Sequence, residues 1–195
     1  MRSLALLLLA LWAGPATAQW ALPAGQEHAP RVIAYARDFL STFANDPDLQ
    51  ATIRASTKSH SRLDWNEQRS LDRRYRDERA DKNHDGLFGA IVNSSLSDWL
   101  RRTMAEAPNG AVTEILIIDG LGWNVGQTGD VADFFQGDEL QWQDILPAGP
   151  NAVAVSELED NGRGERTLAV VSLPINDGTR NIGVATMGID VTKLP

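Results

Sequence analysis

The chain has 195 residues, no cysteine, and 26 Asp and Glu against 18 Lys and Arg, which gives a formal net charge of −8 at pH 7. The absence of cysteine excludes disulfides and thiolate metal sites. The acidic excess disfavours nucleic acid and anionic membrane surfaces as partners, because binding to polyanions depends on basic patches that release counterions.

The first 18 residues have the pattern of a bacterial export signal. Arg2 supplies a positive charge, residues 4–12 form an apolar run, and Ala16-Thr17-Ala18 matches the small-residue cleavage pattern. The run is too short to span a bilayer, and no later stretch approaches the roughly 20 consecutive apolar residues of a membrane helix. We therefore expect cleavage after Ala18, a periplasmic or secreted product without a membrane span, and one domain over residues 19–195.

Helical periodicity dominates the next part of the chain. Apolar residues recur every three or four positions from 31 to 44, which predicts an amphipathic helix. Asp46-Pro47 is typical of an N-cap followed by a first-turn proline, so a second helix is expected to begin there. The strongly charged residues 63–79 predict a solvated helix, and residues 88–104 predict another that restarts at a capping box over residues 95–98.

Beyond Pro108-Asn109-Gly110 the period changes from helical to extended. Five segments rich in β-branched residues predict strands, the last three joined by short turns as an antiparallel meander. Residues 138–146, between the second and third strands, predict a short helix. Helices followed by an antiparallel sheet indicate the α+β class. The predicted strands are residues 113–119, 123–128, 153–159, 166–175 and 183–191.

Three stretches of the sequence together resemble the periplasmic PAS-like sensor domains called Cache or PDC domains. The resemblance implies long N-terminal helices packed on a five-stranded antiparallel PAS-like sheet with one inserted short helix, and a ligand pocket on one face of that sheet. It also implies a non-enzymatic sensor role. The stretches are Ile117-Ile118-Asp119-Gly120 with Asn124-Val125, residues 133–139 with Trp142, and Leu173-Pro174-Ile175 with Ile182-Gly183 and residues 188–191.

Two departures from the family pattern shape the expected function. Where the amino-acid-binding branch carries an arginine on the pocket helix, this chain has Asp138, Glu139 and Trp142, so capture of a carboxylate by that route is not expected. Membrane receptors of the family continue into a transmembrane helix, whereas this chain stops at Pro195. A separate membrane receptor or histidine kinase is therefore the expected signalling partner.

The segment from 133 to 142 combines acidic and aromatic side chains, which favours a small polar or cationic ligand through charge pairing and cation–π attraction. The alternative is that Phe134 and Trp142 are core anchors and that Gly137-Asp138 merely caps the short helix. The predicted ligand-binding residues are Asp133, Phe135, Gln136, Asp138, Glu139 and Trp142, with Trp123 and Asp177 from neighbouring strands and turns.

Other functions have weaker signals. Asp81, Asn83 and Asp85 match the first half of an EF-hand loop, but Val92 stands where a bidentate Glu is needed, so calcium binding is a minor alternative. No zinc-helix spacing of histidines, Gly-x-Ser-x-Gly elbow or phosphate loop occurs, and no catalytic residue, metal or cofactor is predicted.

The main alternative to a ligand-binding sensor is a ligand-free structural module. The apolar stripe of the first predicted helix could pair with a second copy of the chain, which would make a homodimer. The stripe consists of Val32, Tyr35, Phe39 and Phe43.

Overall fold

The computed structural model describes residues 27–82 and 84–195. The expected export signal and the predicted cleavage after Ala18 lie outside these residues, as does Asn83. Within the described residues, five α-helices precede the sheet and a sixth is inserted in it. They are α1 (Ala29–Ser41), α2 (Pro47–His60), α3 (Trp65–Ala80), α4 (Leu87–Val92), α5 (Ser95–Ala105) and α6 (Leu140–Gln143).

Six strands form one antiparallel sheet in the order β2–β1–β6–β5–β3, and β4 also pairs with β5. The predicted α+β class, the meander at the end of the chain and the inserted helix are confirmed. The strands are β1 (Val112–Asp119), β2 (Asn124–Gln127), β3 (Ala154–Val155), β4 (Glu159–Asp160), β5 (Arg166–Asn176) and β6 (Asn181–Asp190).

The predicted third strand, residues 153–159, forms two short strands instead of one. Ser156 lies between them, and its backbone carbonyl accepts a hydrogen bond from the ring Nε2 of His28 at 3.0 Å. Its hydroxyl accepts the amide hydrogen of Val170 at 3.0 Å. The ladder with β5 is interrupted here because a side chain takes the place of a backbone partner.

Caps in the sequence fix where the helices begin. The Asp46 carboxylate accepts the amide hydrogens of Asp48 and Leu49, both at 2.9 Å, so α2 begins where the sequence predicted. The predicted restart of the fourth helical segment is also confirmed, but the capping residue is Ser94, whose hydroxyl accepts the amide hydrogen of Ser97 at 3.1 Å.

Both faces of the sheet are covered. Because side chains alternate along a strand, Ile115 and Ile117 of β1 pack with α1, α2 and α5, while Leu116 and Ile118 face the other way. That second face is covered by α6 and the irregular segments around it, including Ile145. Since β1 is buried on both sides, it has the nearly continuous apolar sequence that predicted it.

The apolar stripe of α1 lies against the sheet of its own chain. Val32, Phe39 and Phe43 are buried in the main core, and Tyr35 is packed against that core. Large apolar side chains exposed in the described residues are Trp65, Leu121 and Leu140. In the same described residues, the helices are too short or too polar to cross a bilayer.

Candidate functional site

The segment that follows β2 is fixed to α3 at its start. One oxygen of the Asp72 carboxylate accepts the amide hydrogens of Phe134 and Phe135, both at 3.1 Å. The Phe134 ring is buried and stacks on Tyr75 with centroids 5.5 Å apart, and it lies 5.1 Å from the ring of Trp123. These rings, together with Phe88, form an aromatic cluster under α3 and α4.

Tyr75 gives this aromatic cluster a polar end. Burial raises the pKa of Tyr75 to about 12, so its hydroxyl remains a donor at neutral pH. It bonds to the side-chain oxygen of Gln127 at 2.8 Å and to the carbonyl of Val131 at 3.2 Å. The solvated helix α3 is therefore attached to the sheet by one fully buried side chain that satisfies its hydrogen-bonding capacity.

Phe135 and Trp123 pack on each other rather than around an opening. Their ring centroids are 4.9 Å apart, and their backbones form an isolated bridge. Gly122, at φ +91°, and Gly137 approach each other and the Phe135 ring so closely that a Cβ on either would overlap its neighbours. Close packing therefore accounts for Phe135 and Trp123 at this point.

Asp119 ends β1 and holds the turn that follows. One of its oxygens accepts the amide hydrogens of Leu121 at 2.8 Å and Trp123 at 3.0 Å. The other accepts the Ser56 hydroxyl at 2.8 Å and lies 3.0 Å from Nδ1 of His60. The carboxylate is fully buried, so these bonds from α2 and the turn replace the water it has lost.

The remaining predicted residues lie at separate places. Trp142 is half-buried on the second face of the sheet, and its indole N–H donates to the carbonyl of Asp119 at 3.0 Å. Asp133 is half-buried, with its carboxylate 3.7 Å from the Arg76 guanidinium on α3. Asp177 lies in the turn between β5 and β6. Asp138 and Glu139 are exposed.

A cleft of about 200 Å³ opens on the second face of the sheet. Of the eight predicted residues, Gln136 is the one that lines it; the side chains of the other seven belong to the packing or surface positions described above. Gly188 lies opposite Glu114 and Val170 in the sheet and contributes no side chain to the cleft. The lining residues are Glu114, Leu116, Val131, Gln136, Gln141, Val170, Thr186 and Gly188.

Glu114 supplies the only ionisable side chain among these lining residues. Burial, with a further contribution from nearby Asp130, raises the pKa of Glu114 above its ordinary 4.5. Asp130 is itself neutralised by Arg79, whose Nε lies 2.6 Å from it. Among the described residues, no hydrogen-bond donor or cation pairs with the Glu114 carboxylate.

The other polar side chains of the cleft differ in which hydrogen-bond donors and acceptors they can offer to a ligand. The Gln136 side-chain amide donates to the carbonyl of Asp133 at 2.8 Å, which leaves its oxygen as an acceptor. Thr186 shares a hydrogen bond of 2.8 Å with Ser172. Gln141 contributes an amide from the helix α6. Acceptors therefore predominate, on a wall otherwise formed by aliphatic side chains.

Sequence reasoning missed Glu114, although a signal was present. Glu114 is a charged residue next to the apolar run Ile115–Ile118, and the strand period places it on the same face as Leu116 and Ile118. A charge on a face that must be covered is a candidate for function. Within residues 27–82 and 84–195, no group of three His, Asp or Glu side chains is placed to hold a metal ion.

No family model and no curated protein sequence matches the chain. Solved structures that match it include the ligand-binding domain of the Pseudomonas aeruginosa amino acid chemoreceptor PctC in complex with GABA. That domain is 15% identical, the match covers 84% of this chain and 62% of that one, and the TM-score is 0.39.

Two other solved sensor domains give comparable values. The sensor domain of the V. cholerae histidine kinase DctB is 12% identical, with 87% of this chain and 57% of that chain covered and a TM-score of 0.36. The ligand-binding domain of a Campylobacter jejuni chemoreceptor in complex with 4-methylisoleucine is 15% identical, with 86% and 61% covered and a TM-score of 0.36.

The chain spans about three fifths of the length of these three solved domains. They are sensor domains, which is the class that the sequence resembles. Since each TM-score lies below 0.5, the similarity does not by itself assign a function to this chain.

Proposed function

We propose that this protein is a non-enzymatic sensor domain that binds a small amine-bearing metabolite in the cleft on the second face of its sheet. The observation that carries the proposal is the Glu114 carboxylate, which is half-buried, lines the cleft and has no partner among the described residues. Gln136 and Gln141 would accept or donate further hydrogen bonds to the same ligand.

An unpaired, partly desolvated carboxylate favours a cationic ligand. Removing a carboxylate from water is costly unless a donor or cation replaces the lost hydration. An ammonium group brings three donors and a positive charge, and the cleft offers the Glu114 oxygens and the side-chain oxygen of Gln136 as acceptors. No cationic side chain lines this cleft, so a ligand ammonium would meet attraction without a competing repulsion.

The size of the cleft restricts the ligand further. Its volume of about 200 Å³ is smaller than the roughly 300–1,000 Å³ that hold drug-sized molecules. At about 30 Å³ for each water in the liquid, it accommodates about seven waters or a metabolite of similar volume. Leu116, Val131 and Val170 would contact a short aliphatic part of such a molecule, which fits a small amine or amino acid.

The aromatic residues of the segment would have a supporting part in this function. Phe134, Phe135 and Trp123 are packed on one another, so charge pairing with Glu114 replaces the cation–π attraction expected from the sequence. Asp138 and Glu139, exposed beside α6, would act on a ligand as it approaches. Export to the periplasm and a membrane receptor or histidine kinase as partner belong to the same proposal, and the pattern of residues 1–18 supports export.

A thermal-shift screen of small amines, amino acids and organic acids tests the proposal. We expect at least one amine-bearing compound to raise the melting temperature, because a ligand that binds only the folded state stabilises it. The shift should be lost in Glu114→Gln, which keeps the side-chain shape and removes the charge. Glu106→Gln, which removes an exposed carboxylate at the end of α5, is the matched control.

The outcomes separate the proposal from its alternatives. No shift with any compound would reject binding and would favour a ligand-free structural module. A shift that persists in Glu114→Gln would place the ligand elsewhere on the protein. A shift produced by organic acids alone would contradict the amine assignment.

A further inference from the structure

A second cleft lies at the end of the sheet where α2 meets two turns. It has a volume of about 330 Å³ and shares no lining residue with the Glu114 cleft. One side is the C-terminal half of α2, another is the turn after β1, and the third is the β5–β6 hairpin with residues that follow α6. The lining residues are Arg54, Thr57, Lys58, Ser61, Gly120, Leu146, Arg180, Asn181 and Ile182.

Three cationic side chains surround this basic cleft in a protein whose net charge is −8. One of them is paired with a carboxylate: Asp177 lies 3.1 Å from the Arg54 guanidinium. Lys58 and Arg180 are exposed and have no ion-pair partner within the described residues. The cleft therefore carries an excess of positive charge, which concentrates anions at its mouth.

The Arg54 guanidinium makes two hydrogen bonds, and its other N–H groups have no partner in the described residues. Its Nη2 donates to the Gln50 side chain at 3.2 Å and to Asp177 at 3.1 Å. Both bonds use the same nitrogen, so Nε and Nη1 have no partner in the part of the chain that the structure describes. These groups can donate singly to the oxygens of a carboxylate or phosphate, because each paired edge of a guanidinium includes Nη2.

Both carboxylate oxygens of Asp177 already accept hydrogen bonds from the protein, so they are not available to a ligand cation. Its second oxygen accepts the Thr179 hydroxyl at 2.6 Å and the amide hydrogens of Thr179 and Arg180, both at 3.0 Å. These bonds, and then the Arg54 guanidinium, hold the pKa of Asp177 well below its usual range. The Arg54–Asp177 ion pair thus connects the hairpin that carries Arg180 to α2.

The floor of the basic cleft is neutral and well ordered by hydrogen bonds. The Thr57 hydroxyl accepts the amide hydrogen of Gly120 at 3.1 Å and donates to the carbonyl of Ile53 at 3.0 Å. Asn181 donates to the carbonyls of Leu146 at 2.9 Å and Gly149 at 3.0 Å. Ile182 and Leu146 leave an apolar surface between these groups for the carbon skeleton of a ligand.

We infer that this basic cleft binds a small polyanion, with its negative oxygens on Arg54, Lys58 and Arg180 and its carbon skeleton on Leu146 and Ile182. A dicarboxylate and a phosphoryl compound share this chemistry. The inference goes beyond the proposed function, because the two clefts have opposite charge and separate residues. Either ligand can bind while the other fails to bind.

Titration of the ¹⁵N-labelled protein at low ionic strength, followed by NMR, tests the inference. Succinate and inorganic phosphate are the probes, and sodium chloride at matched ionic strength is the reference. We expect saturable shifts of the amide signals of Thr57, Gly120 and Asn181 with succinate, phosphate or both. A response to succinate alone identifies the dicarboxylate source, and a response to phosphate alone identifies the phosphoryl source.

Paired variants establish that the basic side chains bind the probe. Lys58→Gln with Arg180→Gln should weaken binding at least tenfold, because both removed charges are exposed and unpaired. Arg102→Gln with Arg163→Gln removes two exposed charges elsewhere and should leave the affinity within a factor of two. Equal loss in both pairs, no saturable shift in the unmodified protein, or the same shifts with sodium chloride would overturn the inference.

Discussion

The cleft on the second face of the sheet and the basic cleft at its end use charge in opposite ways. The cleft on the second face has one acidic side chain that is half-buried and unpaired, whereas the basic cleft has three cationic side chains at its exposed rim. A single charge has a larger effect at a half-buried position, because its interaction with an opposite charge is less screened there. An exposed site needs several charges, since each pair contributes little in water and is weakened by salt.

Asp119 fixes the turn between β1 and β2, so its loss should have the largest effect on stability. Its side chain anchors the turn that supplies Gly120 to the basic cleft, and its carbonyl holds Trp142 on the second face. Asp119→Ala leaves several buried donors without an acceptor and should lower the free energy of unfolding by about 3–5 kcal/mol. Urea denaturation measures this.

Asp119→Asn is the matched control for that loss. It keeps one oxygen for the amides of Leu121 and Trp123, and the Ser56 hydroxyl can turn to accept from the new amide. We expect a clearly smaller loss. Equal stability of Asp119→Ala and the unmodified protein would show that the turn does not depend on this carboxylate.

Phe134 tests whether the aromatic residues are packing elements. Phe134→Ala should lower the free energy of unfolding by about 3–5 kcal/mol, because it opens a cavity between Tyr75 and Trp123. Leu140→Ala, in the same segment, removes a side chain that is 70% exposed and should change it by no more than about 0.5 kcal/mol. If Leu140→Ala costs as much in urea denaturation, the description of this segment is wrong.

The titration of Glu114 should change the free energy of unfolding by a smaller amount, and the direction of this change follows from its pKa. Because its folded pKa is raised above the ordinary 4.5, the folded state holds the proton more tightly than the unfolded state does. This contribution is present below about pH 4.5 and is lost as the pH rises through the raised value. Glu114→Gln should therefore gain stability relative to the unmodified protein on going from pH 4 to pH 7.

Urea midpoints at the two pH values measure that gain. Glu106→Gln, run in parallel, subtracts the general effect of removing one carboxylate. A gain at pH 4 as large as at pH 7 would mean that burial does not disfavour the charged form of Glu114.

Salt should give the smallest of these effects and separates the clefts directly. Raising the ionic strength from about 0.01 M to 0.15 M shortens the Debye length from about 30 Å to about 8 Å. Anion binding at the exposed rim of Lys58 and Arg180 should weaken several-fold. Amine binding beside half-buried Glu114 should weaken less, and calorimetry at both salt concentrations compares them. Equal salt dependence of the two binding constants would contradict the difference between a half-buried and an exposed charge.

Local signals in the sequence were sufficient for most of the fold. The three- and four-residue spacing in α1, the Asp46 cap of α2 and the β-branched runs of β5 and β6 act within one element, so each can be recognised without its neighbours. The split between β3 and β4 could not, because it depends on how Ser156 bonds to β5, where its hydroxyl accepts the amide hydrogen of Val170.

The candidate site was predicted less completely for the same reason. Gln136 was identified in a segment of the right composition, but the direction in which Phe134 and Phe135 point is set by Asp72 on a distant helix. Glu114 could have been found from the strand period. The basic cleft could not, because Arg54 and Arg180 come from α2 and the β5–β6 hairpin and meet only in the folded chain.

The central claim is that a small amine binds beside Glu114, and an NMR titration with the best amine from the thermal-shift screen tests it most directly. We expect saturable shifts of the amide signals of Glu114, Gln136, Gln141 and Thr186. The affinity obtained from these shifts should be at least tenfold lower in Glu114→Gln. The affinity should be unchanged within a factor of two in Glu106→Gln, which removes an exposed carboxylate at the end of α5. Shifts confined to other residues, or full affinity in Glu114→Gln, would contradict it.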